Sequence, residues 1–221
     1  MFNGKGTQCV INPTLGQERR AELARRPAAS KQRVLVIGGG PAGCEAAMLA
    51  AQRGHEVTLI ERERRLGGQL HAWAAASPFR MEVNNMIGFY ESELERLRVN
   101  VQLQRDAGDV VLDGWDSVLL ATGTDPQDPQ ADAVAMMAAG RPPIADEVAV
   151  YGDTEVALFA ALWLAENDKK VRLLSPSDDV GIDTNDMQRV HLTALLQELN
   201  VAIVTRAAIP ASGEVNLFRS F

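Results

Sequence analysis

The sequence has 221 residues, 46% hydrophobic and 23% charged, the make-up of a globular chain with room for one large or two small domains. A net charge of -7 excludes sequence-independent nucleic-acid binding, which needs a basic surface. No run of roughly 18 apolar residues reads as a membrane span, and Cys9 and Cys44 alone make no disulfide framework. The polar, Gly-rich start has no apolar core of a secretory signal, so the expected setting is the reducing cytoplasm.

Residues 1–31 read as an N-terminal arm. Seven Lys and Arg against Glu18 and Glu22 put the first 33 residues near +5 and the remainder near -12. Such an arm can dock on an acidic partner, dock on its own body, or stay solvated, and the sequence leaves all three open. The stretch GQERRAELARR predicts a short helix that PAAS breaks. Strand patterns then recur at Val34–Ile37, Val57–Ile60, Val99–Leu103 and Ser117–Ala121, with helical patterns at Ala42–Gln52 and about Glu82–Leu97. This alternation predicts an α/β fold with a parallel sheet and crossover helices, a Rossmann-like domain over residues 32–126. GTDPQDPQAD, rich in Pro, Asp and Gly, predicts a linker at 127–145. From 146 to 221 strand, turn, helix and strand recur, then a capped helix and a strand, with one more strand in GEVNLFRSF. The two units read as a weak duplication of one βαβ plan.

The glycine turn carries the chemistry. Gly38, Gly40 and Gly43 have the G-x-G-x-x-G spacing, after a strand and at the start of a helix. The first permits a tight turn, the second lets a pyrophosphate approach the backbone, and the third lets helix and sheet pack closely. Gly39, Pro41 and Ala42 complete the turn, and the helix N-terminus offers free N–H groups to phosphate. Glu61 ends the next strand 18 residues after Gly43, where an acid accepts the ribose hydroxyls and repels a 2′-phosphate. Arg62 adjoins it. Gly67 and Gly68, with Gln69 and Leu70, form a loop able to approach a ligand, and Ala121, Thr122 and Gly123 close the unit at the strand edge where α/β sheets bind ligands. The alternative, a glycine turn used only for packing, leaves the strand-end acid unexplained.

The second turn is altered. VYGDTEVA keeps Gly152 but puts Thr154 where the second glycine belongs, flanked by Asp153 and Glu155, and Ser175 ends the following strand. NAD(P)H binding there is not expected. Cys44 reads as a small packing residue more readily than as a helix-terminal reactive thiol. His55 reads as a surface residue, His71 lies near the glycine loop, and His191 is on the last helix, with no metal or triad spacing among them. Trp73, Trp115 and Trp163 read as core or interface, and Arg64 and Arg65 as solvated charges.

In combination, the glycine turn, RRLGGQL and LLATGT resemble the flavoproteins with two dinucleotide-binding domains. CVINPTLGQE (Cys9–Glu18) ahead of VLVIGGGPAG narrows this. It resembles the C-terminal half of the Old Yellow Enzyme-like iron–sulfur flavoenzymes: 2,4-dienoyl-CoA reductase, trimethylamine and dimethylamine dehydrogenases, and N-demethylases. The resemblance implies FAD at the first unit, or ADP as in the amine-dehydrogenase branch. It implies that Glu61 holds the adenosine ribose and that ATG marks the crossing between domains. In that family an FMN barrel and a Cys-rich iron–sulfur segment precede this part. Cys9 sits where the last cluster cysteine would be; alone it holds no cluster, so it is a relic, a free thiol, or one ligand completed by another polypeptide. The family chain also returns to the first domain after the second, with a segment that the sequence to Phe221 does not include. The ADP part of the site is therefore better supported than the flavin part.

The expected function is a nucleotide-binding module of a flavin-dependent oxidoreductase, turning over little alone, in electron transfer or as a structural nucleotide site beside an FMN and iron–sulfur barrel. The alternatives are a free-standing FAD-dependent NAD(P)H reductase and a non-catalytic subunit docking on a separately encoded barrel. A barrel subunit or a second copy of the chain is the partner expected. No catalytic acid–base pair is assigned.

Overall fold

The computed structural model describes Cys9 and residues 12–76, 80–123, 133–208 and 216–219, the last four as backbone. The chain divides into two compact units, one of Met1–Gly68 with Asn85–Gly123, the other of Gln69–Asn84 with Thr124–Phe221.

In the first unit, α1 (Glu18–Ala24) precedes β1 (Arg33–Ile37). RVLVI is a β-branched, apolar run, and four of its five residues are buried, as expected of a central parallel strand covered on both faces. α2 (Pro41–Gln52) starts with Pro at its first position, where the missing N–H costs nothing. Small side chains on its inner face, Gly43, Cys44 and Ala47, let it lie close on the sheet. β2 (Glu56–Glu61) follows. The chain then gives α3 (Leu70–Ala75) to the second unit before α4 (Arg80–Arg96), β3 (Asn100–Leu103) and β4 (Ser117–Leu120). All pairings are parallel in the order β3-β2-β1-β4. After β3 the chain crosses to the far side of β1, which makes a topological switch point between β1 and β4.

Ala21, Arg25 and Ala28 of the N-terminal arm pack on their own unit. Arg25 Nε donates to Gln52 Oε1 at 3.1 Å, Ala28 N donates to Arg53 O at 3.0 Å, and Ala21 is buried. Leu35, Ile37 and Ile60 form core with Trp115 partly buried against them, and the Arg33 guanidinium lies 5.3 Å from the Trp115 ring centroid. β4 is an edge strand and less covered than its apolar sequence suggests, with Leu120 76% exposed.

In the second unit, α5 (Ala133–Ala139), β5 (Glu147–Tyr151), α6 (Glu155–Glu166), β6 (Lys170–Leu174), α7 (Asp186–Glu198), β7 (Ala202–Val204) and β8 (Asn216–Arg219) follow in turn. The sheet is again parallel, in the order β7-β6-β5-β8. This is the first unit's order repeated, so the duplication is architectural. α6 is buried without a break from Ala157 to Leu164, the signature of a helix covered all round. α5 and α7 pack on it, and Trp73 of α3 stacks on its Phe159 at 6.1 Å between ring centroids. Residues 133–139, within the segment expected as a linker, are thus a packed helix; its remaining residues to Asp132 lie outside the described residues. Among the described residues no helix is long and apolar enough to cross a membrane.

Candidate functional site

The turn after β1 is shaped by what its glycines exclude. Gly38 has φ +109°, and a Cβ there would overlap the Ala121 carbonyl, with the carbonyl carbon at 2.7 Å. The same turn is tied to both neighbours: Gly38 N donates to Ile60 O at 2.9 Å, and Ala121 N donates to Ile37 O at 2.8 Å. Ala121 and Thr122, expected at the strand edge, therefore stand against the glycine turn. A Cβ on Gly43 would overlap the Gly38 carbonyl oxygen, so α2 can begin only this close to the turn because Gly43 is bare.

Gly40 is different. It is the N-cap of α2 with φ -73° and ψ 179°, a conformation open to any residue, and a Cβ there would meet nothing within 4 Å. Neither backbone nor packing asks for glycine at Gly40. The α-helical pattern leaves the first-turn N–H groups of Ala42 and Gly43 without intrahelical acceptors, and no acid lies in that turn. The residues present therefore fit an anionic group such as a pyrophosphate: an open face, free donors and a positive helix end.

Glu61 is the last residue of β2 and only 8% exposed. Its Oε2 accepts from Gly39 N at 2.6 Å and its Oε1 from Glu63 N at 2.8 Å. The carboxylate is thereby fixed, yet each oxygen keeps a further acceptor site. It can receive two more hydroxyl donors, the demand of a ribose diol. Gly39 is also held: a Cβ there would lie 2.6 Å from Leu66 Cδ2 and 3.0 Å from Glu61 Oε2. The spacing motif treats this position as free, and only the triple glycine in the sequence hinted otherwise. Gly67 N donates to Gly39 O at 2.8 Å, which draws the loop in and sets Gly68 beside Gly40.

Gly38–Gly43, Glu61, Gly68, Ala121 and Thr122 thus share one end of the first sheet, with Gly123 following and Arg62 exposed next to Glu61. Gln69 and Leu70 follow Gly68 directly and fall in the second unit, Gln69 as N-cap of α3 and Leu70 buried in its first turn. His71 is on α3 as well. His55 Nδ1 accepts from Gln32 N at 3.1 Å, and His191 is exposed on α7. Cys44 is fully buried, and its thiol is pushed up to about 12 by burial first, then by Glu45, Glu61 and Glu91. It packs, with Sγ donating to Gly39 O at 3.4 Å. Cys9 is exposed. Among the described residues no group of three His, Cys, Asp or Glu could hold a metal ion.

Comparison with known proteins places this architecture. The family model for pyridine nucleotide-disulphide oxidoreductases matches residues 2–141 and, overlapping them, 32–216. An NADH oxidase of Thermoanaerobacter brockii is 32% identical over 220 residues, covering 93% of this chain and 33% of that protein. The N,N-dimethylglycine/sarcosine dehydrogenase of Chromohalobacter salexigens is 44% identical over 130 residues, 57% of this chain and 18% of that one. Among solved structures, 2-naphthoyl-CoA reductase in complex with 2-naphthoyl-CoA superposes with a TM-score of 0.84 at 26% identity, over 96% of this chain and 36% of that one. The chain spans about a third of the length of the longest-matching of these relatives. The resemblance drawn from the sequence is borne out: the match is to the nucleotide-binding part of longer Old Yellow Enzyme-like flavoenzymes.

Proposed function

The chain belongs to the pyridine nucleotide-disulphide oxidoreductase family, and we propose that its first unit binds the ADP moiety of FAD, or ADP itself, as the nucleotide module of a flavin-dependent oxidoreductase. The observation that carries this is Gly40. It is a glycine that neither the backbone nor the packing requires, open to solvent at a helix N-terminus, one residue from the Gly39 amide that holds Glu61. An ADP laid on this turn would set its pyrophosphate over Gly40 and the Ala42 and Gly43 amides. Its ribose diol would reach Glu61, whose charge rejects a 2′-phosphate. Pro41 starts the helix without a side-chain donor or charge in the way. Ala121, Thr122 and Gly123 would line the far side, at the switch point.

FAD, when bound, supplies the electron transfer; the residues of the turn bind, orient and charge-select. Activity, substrate and partners of a longer enzyme rest on residues outside this chain's match, and an FMN and iron–sulfur barrel, in the same chain or a partner, is the neighbour the relationship favours. A free-standing NAD(P)H reductase would need the second turn to admit a dinucleotide, and Thr154 and its flanking acids disfavour that.

The test is calorimetric titration of the purified chain with ADP, FAD and 2′-phospho-ADP. Saturable ADP binding, competition by FAD and at least about tenfold weaker binding of the 2′-phosphate form are expected. Absence of ADP and FAD binding in a folded chain refutes the reading.

A further inference from the structure

The second unit repeats the first bond for bond up to the point where a nucleotide would enter. Gly152 N donates to Leu174 O at 3.0 Å, as Gly38 N does to Ile60 O. The next residue, Ser175, therefore stands in the register position of Glu61. From there the two diverge. Ser175 is fully buried, and its Oγ donates to Asp179 O at 2.6 Å, so its hydroxyl serves its own loop. That loop folds back over the start of α6. Ile182 N donates to Asp153 O at 2.9 Å, the Ser177 hydroxyl donates to the Asp153 carboxylate, and Gly181, with φ +63°, packs on Leu158. Asp183 Oδ1 accepts from Glu155 N, the first amide of α6, at 2.6 Å. Gln188 Nε2 donates to the Glu155 carboxylate, which closes the loop onto α7.

We propose that Asp183 is the internal anion of the second unit's phosphate turn, and that this unit consequently holds no dinucleotide. Its carboxylate accepts from the first amide of α6, the position that Pro41 holds in the first unit, and so sets a fixed negative charge at the helix end where a pyrophosphate would lie. Asp153, Glu155 and Asp183 surround the turn with three carboxylates that repel a second anion. Burial and the Asp183 charge hold the Glu155 carboxyl above its usual range. The contrast with Gly40, whose corresponding face is bare, is a contrast within one chain.

The experiment follows backbone amide resonances of the isotope-labelled full chain, with NADH as the probe. In the wild-type chain NADH should leave the Glu155 amide unmoved up to about 1 mM. In Asp183→Ala, without NADH, that resonance should shift and its hydrogen exchange quicken at least about tenfold, while Phe159 to Leu164 of α6 stay in place. Asp183→Asn, which keeps an acceptor and loses the charge, should shift it less and guards against collapse of the loop in the alanine variant. A saturable NADH shift at Glu155 in the wild type overturns the proposal, as does a Glu155 amide indifferent to both substitutions. The amides of Gly39 to Gly43 report the first unit separately, so failure at one turn is distinguishable from failure at the other.

Discussion

Replacing Gly40 by Ser separates binding from folding more cleanly than any other change in the turn. A Cβ at Gly40 meets nothing within 4 Å, and φ -73° suits any residue. Ser is a better N-cap than Gly by a few tenths of a kcal/mol. Removing a glycine from the unfolded chain adds about 0.4–1 kcal/mol where the native conformation is compatible. Gly40→Ser should therefore raise stability by about 0.5–1 kcal/mol, read as a thermal midpoint up by about 2–4 °C. The new Cβ and Oγ occupy the face assigned to pyrophosphate, so ADP affinity should fall about 10- to 100-fold, or about 1.4–2.7 kcal/mol. Gly43→Ala should do the opposite to the fold. Its Cβ would overlap the Gly38 carbonyl, a backbone atom that cannot swing away, and about 1–3 kcal/mol should be lost. Calorimetric ADP titration and thermal unfolding of the two variants beside the wild type decide the matter. A stable Gly40→Ser chain that binds ADP within about twofold of wild type would show that the open face is not where phosphate sits.

Glu61→Gln should destabilise the first unit by about 1–3 kcal/mol in urea unfolding, because the new amide group meets the Gly39 or Glu63 N–H donor-to-donor; ADP affinity should fall as well, and an unchanged chain would mean that Glu61 is not fixed as described. In thiol titration of the native chain at pH 8, Cys9 should react and Cys44 should wait for denaturant, since burial pushes the Cys44 thiol up to about 12; prompt labelling of both refutes its packing role. Glu155 titrates above its usual range, so its contribution to stability is complete below the unfolded carboxylate value of about 4.3 and is lost as pH rises through the higher folded one. Glu155→Gln should accordingly flatten the fall in stability across that window, measured by urea midpoints from pH 4 to pH 7, and an unaltered profile would count against the shift.

The strands of the first sheet were legible because parallel strands covered on two faces are apolar along most of their length, as RVLVI and EVTLIE are, while KVRLL, with Arg172 exposed between buried Val171 and Leu173, reads by alternation. The glycine spacing was legible because Gly38 and Gly43 answer steric demands that no other residue meets. What the sequence hid was relational. α5 follows a Pro- and Asp-rich stretch that reads as a loop, and only its packing against α3 and α6 makes Ala133 and Met137 core. Trp73 and Phe159 stack although 86 residues separate them in the sequence, which no local pattern encodes. The spacing pattern puts Gly39 in the turn without saying why it is glycine; the reason is the Glu61 carboxylate and Leu66 against it. Asp183 sits in a run of acids before a helix and reads as capping chemistry for α7; that it serves the start of α6 follows only from the folded loop.

Two copies of one plan place the same demand on their surroundings, because a helix that starts at a strand end leaves amides that some acceptor must satisfy. The second unit gives its first helix amide, Glu155 N, to Asp183, where the first unit has Pro41 and no N–H. The first unit leaves the Ala42 and Gly43 amides and the free acceptor sites of Glu61 to a ligand. Stability then divides unequally. A ligand that binds only the folded first unit adds about 2.7 kcal/mol at one hundred times its dissociation constant, and nothing in that term reaches α6 or its sheet. Saturating ADP should therefore slow hydrogen exchange of β1, β2 and α2 strongly while β5, β6 and α6 exchange as before. Equal protection of both units would mean that they unfold as one cooperative body or that ADP binds twice; the Glu155 amide separates these, since only the second case moves it.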